Sequence, residues 1–126
     1  MNATGRFVWY ELLTDDPEGA KSFYGEVMGL GIEPWTGDDK PYAMFRHSDD
    51  AENAPTGGMS DMCEEMGIPP MWLYYVGVDG IDGALARTRQ HGGDVLNGPM
   101  EVPGGGFAAQ CRDPQGAMFA LFSMTR

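Results

Sequence analysis

FVWYELLTDDPEGAKSFYGEVMG, residues 7–29, is the stretch on which the reading of this chain turns. Phe7 to Leu13 is bulky and apolar apart from Glu11, and Thr14-Asp15-Asp16-Pro17 closes it with turn formers, so a strand is expected there. Asp16-Pro17 then opens a helix. Asp16 can accept from the free amide groups of the first turn, Pro17 suits the first helical position, and Glu18 favours the positive end of the dipole. Ala20, Phe23, Tyr24, Val27 and Met28 fall on one helical face, and Gly29 supplies the stop. The plan returns 64 residues later in MWLYYVGVDGIDGALARTRQHGG, residues 71–93, where Asp15, Gly19, Ala20 and Gly29 recur as Asp79, Gly83, Ala84 and Gly93. Solenoid repeats are shorter and need at least three copies, so this spacing reads as a two-fold duplication inside one domain.

Each copy is followed by shorter apolar runs. After the first come Gly31 to Thr36, Pro41 to His47 and a piece around Gly57 to Asp61. In the second copy Ile81, Ala84, Leu85 and Thr88 form the helical face and Gly92-Gly93 end it. Val95-Leu96 reads as a brief strand, Pro103-Gly104-Gly105-Gly106 as a loop, and Phe107 to Arg112 and Ala117 to Met124 as the last two strands. Asp113-Pro114-Gln115-Gly116 joins those two with the residues of a type I turn. The order is strand, helix and three strands, twice over, which is an α+β class. A helix with one apolar face covers one side of its sheet and leaves the other side free to curve around something.

The 126 residues make one domain with enough chain for a core. No apolar run reaches the roughly 18–20 residues that span a bilayer. The polar start, Met1 to Arg6, leads straight into a strand, so no secretory leader is expected and a cytoplasmic location is. Cys63 and Cys111 are then expected as free thiols. The net charge of −11 repels phosphate backbones and argues against a nucleic-acid partner. Ten methionines supply flexible side chains of the sort that fill cores and adaptable pockets.

Val8-Trp9-Tyr10-Glu11-Leu12, then Asp16-Pro17, then Ala20-Lys21-Ser22-Phe23-Tyr24-Gly25 resembles the opening of vicinal oxygen chelate proteins. Val78-Asp79, Gly92-Gly93 and Asp113-Pro114-Gln115-Gly116-Ala117 continue the resemblance through the second half. That superfamily holds glyoxalase I, extradiol dioxygenases, fosfomycin-resistance enzymes and bleomycin-binding proteins. The resemblance implies a single domain over 1–126, built of a module 1–66 and a module 67–126. Each module is βαβββ, and together they form an open, cupped mixed β-barrel with helices outside. In metal-using members two His or Glu residues on the modules' first strands, and one or two carboxylates or histidines on the fourth strands, hold a divalent ion. Carried over by position, the first-strand places fall on Trp9 and Leu73 and the last-strand place on Ala120, while Gly57, Gly58 and Met59 offer no ligand on the remaining strand. Indole, isobutyl and methyl groups do not hold such a cation, so neither a metal nor another cofactor is expected. The resemblance also implies a homodimer.

Alternation along the first strand puts Phe7, Trp9, Glu11 and Leu13 on the side away from the helix. Glu11 is the lone charge in that aromatic run, and its pKa should rise if it is desolvated. It is the candidate catalytic base or ligand anchor, with Arg46, Arg112 or water as its possible partners. Met71, Leu73 and Tyr75 take the equivalent side of the fifth strand. Trp9, Glu11, Trp35, Tyr42, Met59, Leu73, Tyr75, Phe107 and Ala120 are the candidate ligand-binding residues, a mostly apolar and aromatic set suited to a small flat molecule. Three functions follow from this reading. The first is metal-independent binding of a small apolar or aromatic molecule. The second is a lyase, isomerase or hydrolase of a small carbonyl compound with Glu11 as base. The third is a metal enzyme with relocated ligands such as Glu11 and His47.

Overall fold

A computed structural model describes residues 4–34, 42–47 and 55–126. The elements run β1 (Phe7–Leu13), α1 (Pro17–Met28), β2 (Leu30–Pro34), β3 (Tyr42–His47), β4 (Gly57–Ser60), α2 (Cys63–Met66), β5 (Met71–Gly77), α3 (Ile81–Gln90), β6 (Asp94–Glu101), β7 (Phe107–Arg112) and β8 (Met118–Ser123). The expected α+β class and the doubled βαβββ plan are both present. The 64-residue offset holds at both element starts: Phe7 and Met71 begin β1 and β5, and Pro17 and Ile81 begin α1 and α3.

The chain divides into two compact units, Trp9–Trp72 and a second made of Leu73–Arg126 with the residues before Trp9. In the first, the strand order is β2-β3-β4-β1. Strand β1 runs parallel to β4, with Glu11 beside Gly58, and β3 and β2 continue antiparallel. In the second, the order is β5-β8-β7-β6, with β5 parallel to β8, Tyr75 beside Ala120, and the remaining pairs antiparallel. Thr4 bridges to Gly77, and the Gly5 amide donates to the Gly77 carbonyl at 2.8 Å.

Each helix caps one sheet face over a small core. Leu12, Phe45 and Met59 are buried in the first unit, with Tyr10, Ala20, Tyr24, Ile32, Ala43 and Trp72 packed around them. Ile81, Ala84, Leu85, Ala109, Cys111 and Leu121 are buried in the second, with Val76, Val78, Val95, Phe107 and Phe119 around them. Asp16 caps α1 as expected, accepting from the Gly19 amide at 3.1 Å, and Gly29 closes the helix in the left-handed region at φ 70°. The glycine in that region at the end of α3 is Gly92 (φ 90°). Gly93 is needed for a different reason: a methyl there would lie 2.8 Å from the Arg112 carbonyl.

The structure departs from expectation in four places. On α1 only Ala20 and Tyr24 reach the core; Phe23, Val27 and Met28 are exposed. The helix meets its sheet through its middle turns only, so Val27 and Met28 in the last turn, and Phe23 round the axis from Tyr24, stay in solvent. Tyr74, expected on the helix side, is half exposed and lies against Phe7 with ring centroids 5.2 Å apart. Strand β6 continues past Val95-Leu96 through Gly98-Pro99, which its place at a sheet edge allows, since an edge tolerates a residue with no amide to pair. The one-turn helix α2 carries no sequence signal strong enough to have been foreseen. Among the described residues no helix is long and apolar enough to cross a membrane. Cys63 and Cys111 are both free and buried.

Candidate functional site

In the first unit, strand alternation leaves Trp9, Glu11 and Leu13 on the side of β1 opposite α1, together with Gly58 and Ser60 of β4 and Tyr42, Met44 and Arg46 of β3. Three of these side chains join in a line. The Trp9 indole Nε1 donates to Tyr42 Oη at 3.2 Å, and Tyr42 Oη donates to Glu11 Oε2 at 3.1 Å. Glu11 sits two strands from Tyr42, with Gly58 between them. A Cβ on Gly58 would overlap the Tyr42 phenol, so the bare glycine is what lets the ring lie across β4. Glu11 is only 6% exposed. A carboxylate so enclosed is costly unless hydrogen-bonded, and the phenol is a neutral donor held at the right place. Burial first, and then the Glu11 charge, push the Tyr42 phenol well above its ordinary range, so it stays protonated and remains a donor. Arg46 pairs with Glu33 across β2 and β3, and Arg112 with Asp94 at 3.6 Å across β7 and β6.

The second unit has its own line on the face opposite α3. Leu73, Tyr75 and Ala120 are all buried there. Gln110 Nε2 donates to Tyr75 Oη at 2.7 Å, and Asn97 Nδ2 donates to Gln110 Oε1 at 2.8 Å. Sequence reasoning did not single out Gln110 or Asn97. The signal available was the lone amide in the otherwise apolar start of β7, Phe107-Ala108-Ala109-Gln110-Cys111.

Of the candidate residues, Trp9, Glu11 and Tyr42 are brought together, and Leu73, Tyr75 and Ala120 share a face. Met59 and Phe107 do not join them. Met59 lies on the α1 side of β4, opposite Ala43 and packed with Leu12 and Phe45. Phe107 lies on the α3 side of β7 beneath the Arg126 guanidinium, 5.2 Å from the ring centroid. Both follow strand parity: Gly58 and Ala108, one residue along, point the other way. Trp35 lies outside the described residues, as does the side chain of His47.

The 64-residue offset equates Glu11 with Tyr75, and their strand partners then equate Gly58 with Ala120. The fourth-strand place left open by the sequence thus falls on Gly58. Trp9, Leu73, Gly58 and Ala120 offer no nitrogen, oxygen or thiolate for a divalent ion, so these residues do not fit the metal centre that the resemblance would bring. Among the described residues no three His, Cys, Asp or Glu side chains are grouped to hold one elsewhere.

Residues 6–121 match the family model of the Glyoxalase/Bleomycin resistance protein/Dioxygenase superfamily. The chain belongs to this superfamily. Among its relatives, the Mycobacterium tuberculosis protein CFP32, whose name assigns it provisionally to the glyoxylases, is 36% identical over 127 residues. That alignment spans 96% of this chain and 45% of the relative. The anthracycline biosynthesis protein DnrV of Streptomyces peucetius is 30% identical over 133 residues, spanning 95% of this chain and 47% of that protein. The chain therefore spans about half the length of the curated relatives it matches. In fold, this member of the superfamily is similar to Streptomyces coelicolor methylmalonyl-CoA epimerase, at a TM-score of 0.62, 14% identity and coverage of 98% and 99% of the two chains. The Mycobacterium tuberculosis methylmalonyl-CoA epimerase gives a TM-score of 0.56 at 13% identity, covering 94% of this chain and 87% of that one. At such identities the likeness is one of fold.

Proposed function

We propose that this superfamily member binds a small, flat, apolar or aromatic molecule without a metal ion, with Trp9 as the apolar platform and Glu11 as the polar anchor. The observation that carries the reading is the Trp9–Tyr42–Glu11 line, a buried carboxylate held by a neutral phenol beside an indole. Within the second unit, Leu73, Tyr75 and Ala120 make up a candidate ligand-facing set of that unit's own. The name of the DnrV relative, an anthracycline biosynthesis protein, supports an anthracycline-like ligand. Trp35 joins the proposal by position alone.

A panel of tricyclic and tetracyclic aromatic ketones, screened by thermal shift in buffer containing a chelator, tests this. A ligand present at 100 times its Kd should add ~2.7 kcal/mol of stability and be recovered unchanged. Stabilisation that vanishes with chelator and returns with a divalent ion would replace this reading with a metal-dependent one. A second reading is favoured by the burial of Glu11: a proton abstraction from a small carbonyl compound, of the lyase or isomerase type, with Glu11 as base. Product formed by the wild type and lost in Glu11→Gln would establish it, because the amide keeps the shape and cannot take the proton.

The proposal includes a cytoplasmic homodimer. Phe23, Val27 and Met28 leave an apolar stripe on α1, and the relatives carry in one chain about twice this length. Elution of the purified protein at monomer mass would contradict the dimer.

A further inference from the structure

Two tyrosines of the first unit lie against the glycine pair of β4, one on each face, and they are held differently. A Cβ on Gly57 would overlap the Tyr10 ring, and one on Gly58 would overlap the hydroxyl end of the Tyr42 ring, at Oη, Cζ and Cε2. Tyr10 is fixed by the core. Its ring stacks on Phe45 with centroids 5.9 Å apart and meets Trp72 at 6.0 Å, and its hydroxyl shares a hydrogen bond with Thr56 Oγ1 at 2.8 Å. Among the described residues the Tyr42 ring packs on no other aromatic ring and lies outside that core cluster. Tyr42 is the first residue of β3 and is only partly buried, whereas Glu11, which its hydroxyl meets, is 6% exposed.

The Tyr42 phenol is thus held by its oxygen, which accepts from the Trp9 indole at 3.2 Å and donates to Glu11 Oε2 at 3.1 Å. A phenol is itself a small, flat aromatic molecule with one polar group. Tyr42 sets one down with its ring on a bare glycine and its oxygen between the indole platform and the carboxylate anchor.

Resting on the ligand-binding reading above, we infer that Tyr42 is the internal occupant of this site and that the ligand is a phenol, whose hydroxyl displaces that of Tyr42 and takes over both of its hydrogen bonds. The exchange asks of Trp9 and Glu11 only the bonds they already make to Tyr42, and the room it needs is what the departing ring leaves over Gly58. The incoming oxygen must accept from the indole and donate to the carboxylate. A hydroxyl does both. A ketone or ether oxygen cannot donate, an ammonium group cannot accept, and a carboxylate cannot donate and meets the like charge of Glu11. A tethered occupant competes at an effective concentration of order millimolar, so the wild-type affinity is lowered by the fraction of molecules with Tyr42 in place. A single-ring phenol gains little by the exchange, and a second fused ring supplies the apolar area by which a ligand wins.

The test uses 2-naphthol and 2-methoxynaphthalene, which share their rings but differ in that the ether cannot donate. Their dissociation constants are measured by calorimetry at neutral pH on the full chain, as wild type, Tyr42→Phe and Tyr42→Ala. Tyr42→Phe, whose ring has no hydroxyl to hold it in place, should tighten 2-naphthol ~10-fold, and Tyr42→Ala at least as much. Binding seen only in the variants meets the same expectation. In both variants 2-naphthol should be favoured over the ether by ~10-fold, the effect of about one buried hydrogen bond. The sign decides: a Tyr42 that lines the site for the ligand, or only braces Glu11, leaves binding weaker or unchanged when it is altered. If Tyr42→Ala loses its cooperative thermal transition, the near-isosteric Tyr42→Phe decides by the same two ratios. Weaker or unchanged binding of 2-naphthol in the variants, or equal affinity for the two probes, overturns the exchange and leaves the binding of an aromatic molecule standing. Absence of binding of either probe to all three proteins overturns both.

Discussion

Gly58 and Tyr42 show how a single missing side chain can organise a site. The glycine's lack of a Cβ admits the phenol, and the phenol holds the Glu11 carboxylate. Gly58→Ala should therefore cost ~1–3 kcal/mol, the usual range for overfilling a packed position. Much of that loss should be shared with Tyr42→Phe, so the double variant should be less destabilised than the sum of the two in urea titrations. Strict additivity would mean that the two residues act apart. The Tyr42 phenol also sets a pH dependence. Its folded-state pKa is raised above the ordinary value of 10.0, by burial and then by Glu11. The stability that the neutral phenol contributes is therefore whole below about pH 10 and drains away above it, as the unfolded chain ionises first. Between about pH 9 and pH 11, unfolding free energies of the wild type should fall more steeply than those of Tyr42→Phe. Parallel curves would contradict the assignment.

The elements differ in how their ends are held, and this separates two otherwise matched helices. Helix α1 is capped locally by Asp16, whereas α3 begins at Gly80 with no side-chain cap. The first α3 amides instead donate to the chain's last residues: Ile81 to the Thr125 carbonyl at 3.0 Å and Asp82 to the Arg126 carbonyl at 2.7 Å. Asp82 and Arg126 also form a salt bridge at 3.2 Å, though an exposed pair contributes little. Asp16→Ala should cost ~1 kcal/mol and speed hydrogen exchange in the first turn of α1 alone. Deleting Thr125 and Arg126 should do the same to α3 alone, at ~1–3 kcal/mol for two lost backbone bonds. Equal effects of either change on both helices would show that the ends are not independent.

For the whole molecule, one buried cysteine in each unit reports on whether that unit is closed. Cys63 is 1% exposed and Cys111 is fully buried. Burial raises the pKa of both thiols and takes Cys111 to about 11, against a smaller opposing pull from Arg89. Little thiolate forms near neutrality, so neither residue should react quickly with a disulfide reagent in the folded state. Two thiols per chain should react on unfolding in urea. Rapid native-state labelling of one would show that its half of the molecule opens locally.

How much of this was legible beforehand follows from the range of the forces involved. The strands, the helix start at Asp16-Pro17, the stop at Gly29 and the 64-residue repeat are written in local spacing, because alternation and capping act over a few residues. The same locality placed Trp9, Glu11, Leu73 and Tyr75 on the faces away from the helices. It misplaced Met59 and Phe107, since pairing across strands decides which parity faces the core. It also missed Gln110 and Asn97, because a bulge in β6 turns Asn97 over and no short-range pattern announces it. The amino-acid sequence by itself determined the module, its duplication and the absence of metal-binding side chains from the expected places. Only the tertiary structure decided that Tyr42 would cross Gly58 to Glu11 and Gln110 would cross Ala120 to Tyr75. Those contacts join residues more than 30 positions apart, and strand register, a property of the assembled sheet, is what brings them within hydrogen-bonding distance.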